Sequence, residues 1–190
     1  MPPRIAPHQV VIIPVLRGEG DEAVMKAAAD LKAQLKAKGI RVHLDDRDER
    51  TPTKMWDAIK KGVPLRIELG AREVAAGQLT HVRRDIGKDS KKTESVAEFV
   101  ANIEATLDTM HNDLLARAQA ALDARMTDVS TIAEMKSFFA DETKSGFVRI
   151  NYDCIKNNSE FEALKKDFSV TTRCLPFADG GKKVIVGRSY

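Results

Sequence analysis

The chain has 190 residues, of which 43% are hydrophobic and only 5% aromatic, with 31 Lys and Arg against 28 Asp and Glu for a net charge of +3. That length allows one or two domains with a real core carried by Val, Ile, Leu and Ala. The small basic excess argues against a protein that lives on phosphate neutralisation alone, but suits one that reads a few bases. Two cysteines, Cys154 and Cys174, fit a reduced intracellular protein better than a disulfide scaffold. The longest apolar run, Val10 to Leu16, is broken by Pro14 and falls far short of a membrane span. With no apolar signal-peptide core in view, a cytoplasmic protein is expected.

In chain order, Pro-rich residues 1–8 form an extended lead-in, and the β-branched run Val10–Val15 predicts a strand buried on both faces. Asp21 is the expected N-cap of a helix whose stripe is Val24, Ala27, Ala28, Leu31 and Leu35, closed by Gly39. Residues 40–44 alternate as a strand. Thr51 to Lys61 is a short helix with Pro52 in its first turn, and Val63–Leu69 and Gln78–Arg84 are two further strands. Residues 85–92 read as a polar turn. The β-α-β-α-β-β order implies an α/β layer with helices covering a mixed sheet.

A helix over 94–110 carries Val96, Phe99, Val100, Ile103 and Leu107 on one stripe and closes the first domain. A second, Ala-rich helix with Leu114, Leu115, Leu122 and Met126 serves as a connector over 111–129. Ser130 or Thr131 then caps a helix bearing Ile132, Met135, Phe138 and Phe139. A strand at 147–150, a helix at 159–168, a strand at 170–175, a Gly180-Gly181 turn and a strand at 183–186 make a small α+β domain over 130–190. About 60 residues is close to the size at which a lone core is marginal.

An apolar strand empties into the acid/base cluster Leu44-Asp45-Asp46-Arg47-Asp48, and the strand after Pro64 delivers Arg66 and Glu68 to one face. Buried unpaired charge is costly, so this placement suits a surface that reads hydrogen-bonding edges. Enzyme signals are missing: there is no G-x-S-x-G, no Walker A and no G-x-G-x-x-G run, and His8, His43, His81 and His111 share no ligand spacing. Asp45, Asp46 and Asp48 as a Mg²⁺ cluster have no phosphate cradle beside them, and such clusters are more often loop solvation.

The segments "PPRIAPHQVVIIPV" (Pro2 to Val15) and "LDDRDERTPTKMWDAIKKGVPLRIELGAREVAAGQ" (Leu44 to Gln78) resemble the anticodon-binding domain of prolyl-tRNA synthetases of the eukaryotic/archaeal type. "GFVRI" (Gly146 to Ile150), "TTRCLPF" (Thr171 to Phe177) and the terminal "GRSY" resemble the C-terminal domain of the same class II ligases. The resemblance implies an α/β fold with a mixed five-stranded sheet flanked by helices, followed by the small α+β domain. It implies binding of the anticodon loop of proline tRNA. Proline activation, with ATP and Mg²⁺, would fall to a catalytic domain outside these residues, so no cofactor and no catalytic residue is expected within them. A dimeric parent enzyme and a monomeric fragment are implied. The start at Met1, where a parent enzyme would cross from catalytic to anticodon domain, suggests a fragment; a free-standing accessory module is the alternative.

Base reading needs a cation and a carboxylate together, since guanine offers acceptors on one edge and donors on another. Arg66, Arg72 and Glu73 have these types, and in the resembled family such positions contact the two guanines shared by proline anticodons. Lys61 is assigned to the RNA backbone, and Asp57 and Arg47 complete the candidate set. Relatives carry Trp-Glu before the Leu-Lys-Gly-Val-Pro run, whereas Ala58 and Ile59 stand there in this chain. An isoleucine accepts no hydrogen bond, and Asp57 is the nearest substitute. Many relatives hold zinc with two cysteine pairs in the C-terminal domain. Only Cys154 survives near such a position, so no metal is expected, and packing of Phe147, Phe161, Leu164, Leu175 and Phe177 is expected to carry that domain. In the relatives the last tyrosine folds back toward the catalytic domain; without that domain Tyr190 is expected to be exposed.

Overall fold

The computed structural model describes residues 1–18 and 20–189; Tyr190 lies outside the described residues. The chain divides into two units, Met1–Ala116 and Arg117–Tyr190.

The first unit is built on strands β1 (Val10–Val15), β2 (Val42–Leu44), β3 (Leu65–Gly70), β4 (Gln78–Arg83) and β5 (Lys92–Ser95), in the order β2-β1-β3-β4-β5. β1 runs parallel to β2 and β3, and β4 and β5 continue antiparallel. Helices α1 (Asp21–Ala37), α2 (Thr51–Lys60), α3 (Ala71–Ala75) and α4 (Val96–Asp123) flank the sheet. Central β1 is apolar at every position because both its faces are covered. Val10 and Ile12 join the main cluster with Leu31, Leu35, Phe99 and Ile103, while Val11 and Ile13 meet Ala58 and Val63. β3 is covered on one face only: Leu65, Ile67 and Leu69 enter the main core, and Arg66 and Glu68 point to the other side. Burying one face of a strand yields that alternation.

Several details differ from the sequence reading, among them α3 and a turn at residues 3–5 in place of an extended lead-in. Asp21 is the first helical residue rather than the cap, and its carboxylate accepts from the Arg17 and Gly18 N–H groups at 2.9 and 3.0 Å. The polar turn after β4 contains a 3₁₀ turn (Lys88–Ser90), and the fifth strand follows at once. The stripes assigned to two successive helices form the single helix α4, since neither Gly nor Pro interrupts residues 96–123. Its buried face, Phe99, Ile103, Leu107 and Met110, ends there.

The second unit holds the sheet β6-β7-β9-β8, with β6 (Met126–Asp128), β7 (Phe147–Asn151), β8 (Val170–Cys174) and β9 (Lys183–Arg188). Helices α5 (Ile132–Ala140), α6 (Tyr152–Ile155) and α7 (Ser159–Phe168) accompany it. Thr131 caps α5: its Oγ1 accepts from the Glu134 N–H at 3.2 Å and Glu134 Oε2 accepts from the Ser130 N–H at 2.7 Å, a reciprocal capping box. The core is Met135, Phe138, Phe139, Val148, Ile150, Ile155, Phe161, Leu164, Val170, Val184 and Val186. Phe161 and Leu164 were expected there. Phe147, Leu175 and Phe177 are not in it: Phe147 is half-buried, and the other two are exposed, Phe177 completely. The β8–β9 register shifts between Thr172 and Cys174, and the chain leaves the sheet before Leu175. Phe138 and Phe139, set edge to face, supply the aromatic volume instead.

Candidate nucleic-acid interface

α2 packs on β1 through Ala58, and the same sheet face continues past it onto β3 and β4. The face carries Arg66 and Glu68 from β3, and Thr80 and Val82 from β4. Two concavities occupy it. The larger, about 780 Å³, is lined among others by Arg17, Asp21, Glu68, Arg72, Glu73 and Lys91. The smaller, about 350 Å³, lies between the end of α2 and the loop after β4 and includes Ile59, Arg66 and Arg84.

Arg66 and Glu68 link the two. Arg66 Nε and Nη2 both donate to Glu68 Oε1 at 3.3 Å, and Lys91 Nζ reaches Glu68 Oε2 at 3.2 Å. Both members of the pair are largely shielded, with side chains 17% and 15% exposed, so their orientation is set by their surroundings.

The end of β3 places the second pair. A Cβ on Gly70 would stand 2.9 Å from Glu73 Oε2, so the bare backbone there lets the Glu73 carboxylate lie against the strand end. Burial pushes that carboxyl up, but backbone hydrogen bonds at Glu73 and Gly70 and the Arg72 guanidinium outweigh it and hold it below the usual range. Glu73 is therefore an ionised acceptor at neutral pH, 3.2 Å from Arg72 Nη2, while Arg72 is almost fully exposed.

Arg47 and Asp57 form a separate cluster. Arg47 Nε and Nη2 donate to Asp45 at 2.8 and 2.7 Å, and its Nη1 and Nη2 both donate to Asp57 Oδ2 at 3.0 Å. The Arg47 guanidinium holds the Asp45 carboxyl below its ordinary value. Buried Lys54 donates to the Asp45 carbonyl at 3.1 Å, so the cluster fastens α2 to the loop after β2. Neither Arg47 nor Asp57 lines either concavity, and nor does Lys61, exposed at the end of α2. Ile59 does line the smaller one, together with Arg66.

Glu68 was visible in the alternation of β3. Lys91, Arg17, Thr80 and Thr93 were not singled out. The last two face the larger concavity from paired strands, with their hydroxyls 2.8 Å apart. Lys91 precedes a strand with no apolar residue to announce it.

The zinc site of the resembled family does not fit these residues. Cys154 Sγ points at the Ser130 carbonyl, 3.8 Å away, and Cys174 is exposed on β8. Among the described residues no group of three or more His, Cys, Asp or Glu could hold a metal ion, and no helix is long and apolar enough to cross a membrane.

The first unit and its open face define an anticodon-binding domain: the family described as "Anticodon binding domain" matches residues 9–106, more than half of the chain, and the chain belongs to it. Its relatives are proline–tRNA ligases. The enzyme of Paramagnetospirillum magneticum is 36% identical over 99% of this chain, and the chloroplastic/mitochondrial enzyme of Arabidopsis thaliana is 34% identical over 93%. The chain spans 39% and 33% of their respective lengths. The prolyl-tRNA synthetase of Giardia lamblia, solved with prolyl-adenylate, superposes on the whole chain with a TM-score of 0.84 at 28% identity, over 44% of its own length. That of Cryptosporidium parvum, with L-proline and AMP, gives 0.82 at 26% identity over 42%. The chain thus matches the C-terminal region of prolyl-tRNA synthetases.

Proposed function

We propose that the open face of the first sheet binds the anticodon loop of proline tRNA on behalf of a proline–tRNA ligase. The observation that carries this reading is the adjacency of two hollows joined by the Arg66–Glu68 pair, within an anticodon-binding fold. Arg66, Arg72 and Glu73 read base edges; guanidinium donors and a carboxylate acceptor match the two edges of guanine. Lys61 serves the RNA backbone. Asp57 and Arg47 act indirectly, by fixing α2, the wall of both hollows.

In this reading residues 1–110 are the anticodon-binding domain, the remainder of α4 to Asp123 is the connector, and the C-terminal domain, which holds no zinc, begins at β6 (Met126–Asp128) rather than at residue 130. Aminoacylation, with its ATP and Mg²⁺, belongs to a catalytic domain in the cytoplasmic, dimeric synthetase. The 190 residues alone bind tRNA as a monomer and do not charge it.

The test is binding to proline tRNA and to the same tRNA with both anticodon guanines replaced, at one near-physiological salt concentration. The expected preference is at least tenfold, about 1.4 kcal/mol, and Arg66→Ala removes it. Equal, weak binding of both leaves only phosphate attraction. It would favour an accessory module that no longer reads this anticodon, a reading to which Ile59 in the smaller hollow also points.

A further inference from the structure

The two hollows differ in chemistry. The larger has three carboxylates, Asp21, Glu68 and Glu73, among its cations. In the smaller, Ile59, Val63 and Val82 form the walls, and the charged groups are Arg66, Arg84 and Lys88. Among the described residues no carboxylate lines it.

Its two guanidiniums are held in place. Arg66 is fastened to Glu68 through Nε and Nη2. A guanidinium has five N–H donors, so the Nη1 group and one Nη2 hydrogen remain beyond that pair. Arg84 is tied by Nε to the Ile59 carbonyl at 3.2 Å, which fixes it against the end of α2. Every charged side chain here donates and none accepts. An apolar slot edged with donors takes a flat ring whose rim offers acceptors. The O6/N7 edge of guanine does so. Its N1–H and N2–H₂ edge finds no carboxylate.

Resting on the anticodon reading above, we infer that the two base sites are unequal. The larger reads the donor edge of one guanine through its carboxylates. The smaller holds the other base by its acceptor edge alone and ignores the N2 amine, and Ile59 is the residue that sets this tolerance.

The experiment measures binding of the 190-residue chain to a hairpin carrying the proline anticodon loop. Inosine, which lacks the N2 amine, replaces each anticodon guanine in turn. At one position inosine is expected to weaken binding about fivefold or more, and at the other to stay within about twofold. At the tolerant position 7-deazaguanine, which lacks the N7 acceptor, weakens binding about fivefold. Ile59→Glu, checked for fold by circular dichroism, makes the tolerant position prefer guanine over inosine. Equal inosine effects at the two positions, large or absent, overturn the inference and leave the anticodon reading standing. So does indifference to 7-deazaguanine at the tolerant position, or an Ile59→Glu chain that still ignores the amine. A hairpin with adenine at both positions that binds like the parent overturns the anticodon reading and this inference with it.

Discussion

Glu73 owes its position to the residue three places before it. The 2.9 Å approach that a Cβ on Gly70 would make to Glu73 Oε2 leaves no room for alanine without moving the carboxylate. Gly70 has φ −118°, so alanine is acceptable to the backbone itself. Gly70→Ala is therefore expected to displace the Glu73 carboxylate and weaken guanine discrimination, though less than Glu73→Gln, while the melting temperature stays within a few degrees of the parent. A matched loss of stability would show that Gly70 serves packing instead. The types Arg66, Arg72 and Glu73 were legible in the sequence because charges flank an apolar strand there. The part played by Gly70 was not, because a close approach between strand end and side chain leaves no pattern along the chain. Asp57 has a second part that the sequence did not show: its Oδ2 accepts both bonds from Arg47 and so helps to hold α2.

At the scale of elements, α2 is the piece whose placement decides the site, and Lys54 is its fastener. Only 3% exposed, Lys54 spends its ammonium on the Asp45 carbonyl. Lys54→Met should cost about 2 kcal/mol in urea unfolding, since it strips a buried carbonyl of a charged donor, and should weaken RNA binding through loss of the wall. In the second unit Phe161→Ala is expected to cost about 3–5 kcal/mol, whereas Phe177→Ser, at a wholly exposed side chain, stays within about 0.5 kcal/mol. The contrast separates the observed core from the one expected from aromatic content. Long amphipathic elements such as α1 and α7 could be read from the sequence, because their stripes repeat over several turns. The short ones, α3, α6, β5 and β6, could not: tertiary contacts hold them, and Lys92-Thr93-Glu94-Ser95 is an edge strand with polar side chains throughout.

For the whole molecule, charge and protonation set the working conditions. With a net charge of only +3, RNA binding rests on a few local cations. If Arg17, Lys61 and Lys91 are the three that meet phosphates, affinity should fall with salt at a log–log slope of about −2. A much steeper slope would mean a broad basic surface. Acid acts through buried imidazoles. Burial lowers the His81 pKa from its ordinary value, against the opposing pull of Glu94, whose Oε1 lies 2.8 Å from Nε2, while Lys92 lowers it further. The folded chain thus takes up that proton less readily than the unfolded chain, so the stability is complete above about pH 6.5 and is lost as pH falls below it. His43, lowered first by burial and then by the stacked His8, acts in the same sense. The free energy of unfolding should therefore decline as pH falls below about 6.5, and His81→Gln should flatten the decline without abolishing it.

The alternation along β3 also governs how this protein can change over generations. On the proposed reading, recognition and core are threaded through one strand, residue by residue: Arg66 and Glu68 outward, Leu65, Ile67 and Leu69 inward. Inserting or deleting a single residue there would turn readers into the core and core residues into the open face. Heritable variation in what the site reads is thereby confined to replacements in place. The positions free to vary are those on flanking segments, Ile59 on α2 and Arg84 and Lys88 after β4, which contribute nothing to the buried clusters. A library built on those three would redraw the specificity of the smaller hollow on an unaltered scaffold.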